Sequence, residues 1–306
     1  EPEVAGRSVD AIAYFTEKLA YEVEEKKFQQ FLFFEQWQRL RKTCREKGIG
    51  LIGTAPMHAA HDSSDVWAHP DLFQLDDRNE PACIGGLPPD AIHPSGQVWG
   101  LPTYRWDRLA ETGYHWWIDR IRTLAKLVDV IRLEYFPGYV TYWEIPTRQD
   151  AGFSPEWKPG PGAELFYTLQ GELGDLPFIA EDLGPSRGEV DKIKSTFDIP
   201  GMAVLQHAFS HDMKSNPHSP DHYHEKLVAY TGTHDNRPVL GWFDQQPPNK
   251  QKNILSYLQS TGEELEWDAI RTLLESNAGL TLFPMQDILG LGDEARMSKW
   301  GRKQGN

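Results

Sequence analysis

Three carboxylates stand where chemistry can be done: Glu134, Glu181 and Asp235, each at or just after the end of a different short apolar run. Cleaving a glycosidic bond needs carboxyl groups on both sides of it, one as acid/base and the other as nucleophile or as base for water. A third carboxylate stabilises the cationic, oxocarbenium-like transition state by its charge. Arg132 lies two residues before Glu134 and so on the same strand face, where a guanidinium orients a carboxylate and keeps it ionised. Thr233-His234-Asp235-Asn236 packs four hydrogen-bonding side chains into one turn. That density suits a polyhydroxylated substrate better than a core. The competing account of acidic residues at strand ends is helix capping, Asp182 being an example.

Histidines invite a metal. His58, His61 and Asp62 have ligand-like spacing, and His207, His211, His218, His222 and His224 crowd one segment. The second group lies among Pro, Ser, Asn and Asp, where solvated loop histidines are common, so no metal and no cofactor are expected. Trp37, Trp116, Trp117 and Trp143 read as helix-face or core residues. Trp67 and Trp99 stand in a long irregular segment and are the candidates for stacking on a sugar ring. Cys44 and Cys83 lack an activating constellation and read as incidental thiols.

The elements that must position these groups follow from periodicity. A helix is expected over 8–47, with Ser8 as N-cap and Gly48 as stop, leading into the apolar run Ile49–Ile52. The same unit recurs as helix 107–128 before strand 129–134, helix 162–170 before strand 177–182, and helix 188–197 before strand 202–207. A strand at 226–230 and helices near 250–260 and 264–276 precede a last strand at 280–285. Apolar strands alternating with helices imply parallel strands buried on both faces. No Gly-rich phosphate loop follows a strand, and the polar groups gather at strand C-termini, which favours a barrel over a doubly wound sheet. Segment 54–106, rich in Pro, Gly and Trp, is expected to form an elaborate loop over the barrel mouth.

The charge balance narrows the partners. With 31 Lys+Arg against 45 Asp+Glu the formal charge is −14, which argues against a nucleic-acid backbone and against anionic lipid. No stretch approaches the ~18 apolar residues of a membrane span, and EPEVAGRSVD lacks the features of a signal peptide. Two cysteines make no disulfide framework, so a cytoplasmic setting is expected.

Several runs then carry a resemblance: AHDSSDVWAHPDLFQLD (Ala60–Asp76), GLPPD (Gly86–Asp90), SGQVWG (Ser95–Gly100), YRWD (Tyr104–Asp107), IAEDLG (Ile179–Gly184), PGMAVLQ (Pro200–Gln206), YTGTHDN (Tyr230–Asn236) and PMQDILGLGDEARM (Pro284–Met297). Together they resemble the amylomaltases, the 4-α-glucanotransferases of glycoside hydrolase family 77 in the α-amylase clan. The resemblance implies an α/β fold, the (β/α)8 TIM barrel, with six of its about eight βα units present in a single, partial catalytic domain over 1–306. It implies Glu134 as nucleophile, Glu181 as general acid/base and Asp235 as transition-state stabiliser. Arg132, His234, Trp99, Asp90 and Asn236 are then substrate-binding residues, for malto-oligosaccharides and other α-1,4-glucans. The family's nucleophile segment reads Arg-x-Asp-His-Phe-Arg-Gly; here it is Arg132-Leu133-Glu134-Tyr135-Phe136-Pro137-Gly138. Thr54, Leu101 and His207 also depart from the pattern. A glutamate in a site shaped for aspartate reaches one methylene too far, so the expectation is slowed transfer, with an inactive glucan-binding homologue as the alternative.

Overall fold

Burial on both faces shapes the parallel strands. The computed structural model describes residues 2–89, 94–148, 154–175, 177–183, 187–209 and 212–296. Its strands are β1 (Ile52–Ala55), β2 (Cys83–Leu87), β3 (Gln97–Pro102), β4 (Val130–Leu133), β5 (Thr141–Pro146), β6 (Glu156–Pro159), β7 (Phe178–Ala180), β8 (Gly201–Val204), β9 (Leu227–Tyr230) and β10 (Leu280–Leu282). The chain divides into two compact units, Glu1–Asp198 and Ile199–Asn306. The first contains a parallel sheet in the order β1-β4-β7, the second a parallel sheet in the order β10-β9-β8. These six strands correspond to the six apolar runs. Every residue of β7 and β8 is buried, as are Ile131, Arg132 and Leu133 of β4, the pattern of strands covered by helical crossovers.

Each unit has its own core. In the first, the helix His115–Leu127 turns Trp117, Ile118 and Ile121 inward, and the helix Ala163–Leu173 adds Leu165, Phe166 and Leu169. The rings of Trp117 and Tyr139 meet at 5.6 Å and those of Phe136 and Phe166 at 5.4 Å. In the second, Leu265, Ala269 and Leu273 recur at helical spacing along Leu265–Leu274 and pack with Ala203, Ala229, Val239 and Ile254.

The structure differs from the sequence expectation in several places, among them the strands expected at 202–207 and 280–285, which end at Val204 and Leu282 where helical turns begin at Leu205 and Met285. The first strand begins at Ile52 instead of ending there. The Asp129 carboxylate accepts the Leu51 N–H at 3.0 Å, and the Leu51 carbonyl accepts from Asp129 and Val130. Residues 49–51 are thereby committed to the turn, and pairing starts at Ile52 opposite Val130. Segment 54–106 carries strands as well as loop: β2 and β3 join β5 and β6 in an antiparallel sheet of order β3-β2-β5-β6. The glycines of β2 hide that strand from a periodicity reading, yet a Cβ on Gly86 would collide with the Gln97 carbonyl of the paired strand. Finally, the long helices are broken. Leu19 separates Val9–Lys18 from Ala20–Glu46, and positive φ at Gly113 (62°) and Tyr114 (55°) separates Trp106–Glu111 from His115–Leu127. Among the described residues no helix is long and apolar enough to cross a membrane.

The Ala20–Glu46 helix is tied down mainly by polar contacts. Trp37 Nε1 donates to the Leu127 carbonyl at 2.7 Å, and Arg41 donates to the carbonyls of Ala125, Lys126 and Val128 and to Asp129 Oδ1. Arg41, the Leu51 amide and Arg45 hold the Asp129 carboxyl well below the usual carboxylate range. A depressed folded-state pKa contributes stability that is present above the unfolded value, about 4, and is lost as pH falls toward the folded value. Asp129→Asn is therefore expected to lower the thermal midpoint at pH 7, with the gap to the parent narrowing progressively as pH falls below about 4. Melting curves at stepped pH check this; a gap independent of pH would show that the carboxylate charge is not the anchor.

Candidate active site

Register decides where the two glutamates emerge. Arg132 of β4 lies opposite Ile179 of β7 and Thr54 of β1. Beyond β4 the Glu134 N–H donates to the Ala55 carbonyl at 3.1 Å, and beyond β7 the Glu181 N–H donates to the Leu133 carbonyl at 3.0 Å. The ladder thus extends one residue past each strand, and both carboxylates leave from C-terminal strand ends. Arg132 sits between them. Its Nη2 donates to Glu134 Oε1 at 3.0 Å, and its Nη1 is 3.2 Å from Glu181 Oε2. The Arg132 side chain is 8% exposed, against 31% for Glu134 and 23% for Glu181. The cation is buried while the carboxylates it orients remain open to a reactant. A planar five-donor guanidinium can satisfy two carboxylates at once and offset their mutual repulsion, which an ammonium does less well.

The altered segment after Glu134 is well integrated. Tyr135 takes a left-handed conformation, φ 45°, uncommon for any residue but glycine. The Phe136 N–H donates to the Glu181 carbonyl at 2.9 Å, tying the two catalytic candidates together through the backbone as well. Pro137 occupies the start of the buried turn Phe136–Tyr139, where a missing N–H costs nothing. Burial pushes the Tyr135 phenol upward, opposed by the Trp143 amide, so it stays protonated.

Trp99, on β3, is half-buried. Its Nε1 donates to Gln97 Oε1 at 2.9 Å, and its ring lies 5.0 Å from Tyr135 and 5.5 Å from His58. Burial, with the charge of Arg120, lowers the His58 pKa to about 4, so the imidazole is neutral at pH 7. Trp67 is elsewhere, donating to the Val4 carbonyl with Arg7 over its ring. Asp90 and His211 lie outside the described residues.

In the second unit the strand-to-loop turn after β9 holds its own geometry. Asn236 Oδ1 accepts from the Thr233 N–H at 2.8 Å and from Thr233 Oγ1 at 2.9 Å, and its Nδ2 is 3.3 Å from His207 Nε2. Burial lowers the His207 pKa. His234 and Asp235 are exposed, with His234 Nε2 3.6 Å from Asp235 Oδ2. Asn236 is thus a brace of the turn, while His234 and Asp235 project from it. Sequence reasoning did not single out the residues that hold this turn from outside. Asp287, buried, accepts from Thr231 Oγ1 at 2.6 Å and from the Val239 N–H at 2.7 Å. Asp293 pairs with Arg237, and Arg296 Nη2 donates to the Asp235 carbonyl at 2.7 Å. All three belong to Pro284–Met297, whose family-like pattern was the available signal. The remaining described histidines of the two clusters serve the protein's own structure. His61 meets the Asn79 carbonyl, His218 accepts from the Val204 N–H, His222 meets the Lys214 carbonyl, and His224 accepts from the Lys226 N–H.

An amylomaltase from Streptococcus agalactiae, solved in complex with acarbose, superposes with a TM-score of 0.94 at 33% identity, covering 100% of this chain and 62% of that one. With six parallel strands and intervening helices, the fold is α/β, of the TIM-barrel class of the α-amylase clan. The chain belongs to glycoside hydrolase family 77, whose profile, described as 4-alpha-glucanotransferase, matches residues 1–306. A 4-alpha-glucanotransferase of Synechocystis is 40% identical over 310 residues, covering 100% of this chain and 61% of the relative. One from Thermus thermophilus is 41% identical over 296 residues, 94% and 59% of the two lengths. The chain therefore spans about three fifths of the length of the curated relatives it matches.

Removing the shared cation leaves two carboxylates facing each other. Breaking a fully buried ionic network costs about 3–5 kcal/mol, and the partial exposure of both glutamates reduces this to roughly 2 kcal/mol for Arg132→Met. Urea denaturation is expected to show that loss, with Arg132→Met/Glu134→Gln regaining part of it. A double variant no better than the single would mean that charge repulsion is not what Arg132 relieves.

Proposed function

We propose that this chain carries the catalytic machinery of a 4-α-glucanotransferase acting on malto-oligosaccharides and other α-1,4-glucans. The observation that carries the reading is the Glu134–Arg132–Glu181 arrangement at adjacent strand ends, in a chain matched along its whole length by the family profile. In this reading residues 1–306 act as one partial catalytic domain. The Glu134 carboxylate attacks the anomeric carbon, the bond to the leaving 4-oxygen breaks, and Glu181 delivers its proton to that oxygen. Asp235 stabilises the oxocarbenium-like charge. The resulting glycosyl ester is then attacked by the 4-hydroxyl of a second glucan, whose proton goes to Glu181, so that two inversions give net retention. Arg132 orients both glutamates, and His234, Trp99, Asp90 and Asn236 contribute to holding the sugars, Asn236 by bracing the turn. Two cysteines outside any disulfide support a cytoplasmic setting.

Incubation with maltotriose is the direct test: glucose together with longer glucans is expected. Glu181→Gln is expected to slow this by about 10²–10⁴-fold while binding of acarbose, followed by calorimetry, persists. Glu134→Asp, which restores the family's shorter nucleophile, is expected to raise the rate. Acarbose binding without any turnover by the parent chain would favour the inactive glucan-binding reading. Full activity in Glu181→Gln would remove that residue from its role.

A further inference from the structure

The Trp99 indole is gripped by groups from several separate segments of the first unit. Gln97, on the same strand, takes its Nε1–H at 2.9 Å. Tyr135, from the turn after β4, stands 5.0 Å away at 84° to it, and His58, from the segment after β1, stands 5.5 Å away at 68°. His58 and Tyr135 are themselves 6.4 Å apart, so the three rings form one cluster. Behind it the backbone is cut away. A Cβ on Gly85 of β2 would lie 2.7 Å from His58 Nε2 and 3.2 Å from Trp99 Cε3, and one on Gly138 would lie 2.6 Å from the Tyr135 ring. Tyr135 enters the cluster at the cost of a left-handed backbone, φ 45°. Non-glycine residues hold such conformations where the surrounding structure imposes them, and they gather at functional sites. The residue bearing this strain directly follows Glu134, so the ring that touches Trp99 and the proposed nucleophile share one backbone turn.

We propose that Tyr135 and His58 are positioning residues that lock the Trp99 indole as a platform for the acceptor sugar, coupling acceptor binding to the turn that carries Glu134. The proposal rests on the transferase reading above, in which the family resemblance implies that Trp99 stacks on the acceptor sugar, and adds to it which residues hold that indole in place. An indole free to rotate presents its face to a sugar only part of the time; a gripped one has that ordering in place before the sugar arrives. Edge-to-face ring contacts of this kind are worth a factor of a few up to about ten in an equilibrium. Acceptor binding is the step that should register their loss, because neither Tyr135 nor His58 need touch the reacting atoms.

The test uses the full chain, with maltotriose as donor and glucose or maltose as acceptor. Tyr135→Ala and His58→Ala are each expected to raise the acceptor KM about 5–10-fold with a much smaller change in kcat, and to shift products from transfer toward hydrolysis. Tyr135→Phe, which keeps the ring, is expected to restore the parent KM. Maltose binding read by tryptophan fluorescence supplies a readout without turnover: weaker in Tyr135→Ala, as in Trp99→Ala, and restored in Tyr135→Phe. If the parent binds maltose but turns nothing over, and Tyr135→Ala weakens that binding, the transferase reading fails and the platform stands. Equal losses in kcat and acceptor KM, or no change in maltose binding in Tyr135→Ala, would overturn the platform proposal. So would a Trp99→Ala variant that binds maltose like the parent.

Discussion

One buried guanidinium organises the first unit. Arg132 must be covered to hold two carboxylates rigidly, and it can be covered only if its strand lies between two others. The order β1-β4-β7 provides that, with Arg132 on the central strand, Thr54 on one side and Ile179 on the other. The parallel register brings Glu134 and Glu181 out one residue beyond their strands, within reach of the two arms of the fork. A slip of one residue would turn Arg132 to the opposite face and separate all three groups. The apolar packing of Ile131, Leu133, Phe178 and Ala180 is in this sense what keeps the charges in place.

The second unit solves a similar problem with neutral and charged hydrogen bonds. The turn that presents His234 and Asp235 is short and exposed, and a turn of that kind left to itself would sample many shapes. Its inner side is held by Asn236 and His207, its flanks by Asp287, and its outer carbonyl by Arg296. Asp287 is 1% exposed, and burial raises its pKa while the Thr231 hydroxyl and the Val239 amide oppose that. A carboxylate placed so deeply is tolerated because both its oxygens are satisfied by donors.

The departures from the family pattern also take on a physical meaning. Pro137 sits where a proline is harmless, and Tyr135 is built into an aromatic cluster with Trp99 and His58. Glu134 remains within hydrogen-bonding distance of Arg132 despite its extra methylene. These residues are therefore parts of a consistent local structure.

By itself the sequence determined the six parallel strands and the residue types at their ends. Continuous apolar runs between helical periods identified the six parallel strands, because a strand buried on both faces must be apolar throughout, a requirement visible residue by residue. The polar groups at the ends of those runs marked Glu134, Glu181 and Asp235, and the spacing of Arg132 from Glu134 placed them on one face. What the tertiary structure alone decided were the relations across long stretches of chain. Arg132 also reaches Glu181 because β4 pairs with β7; β2 is a strand because β3 and β5 flank it; Asp287 and Arg296 brace a turn far away in sequence. His58 gave no sign of its contact with Trp99 and Tyr135. Local period records which face a residue takes, but it carries no record of which distant segment will cover that face, and that is settled only when register and packing are chosen together.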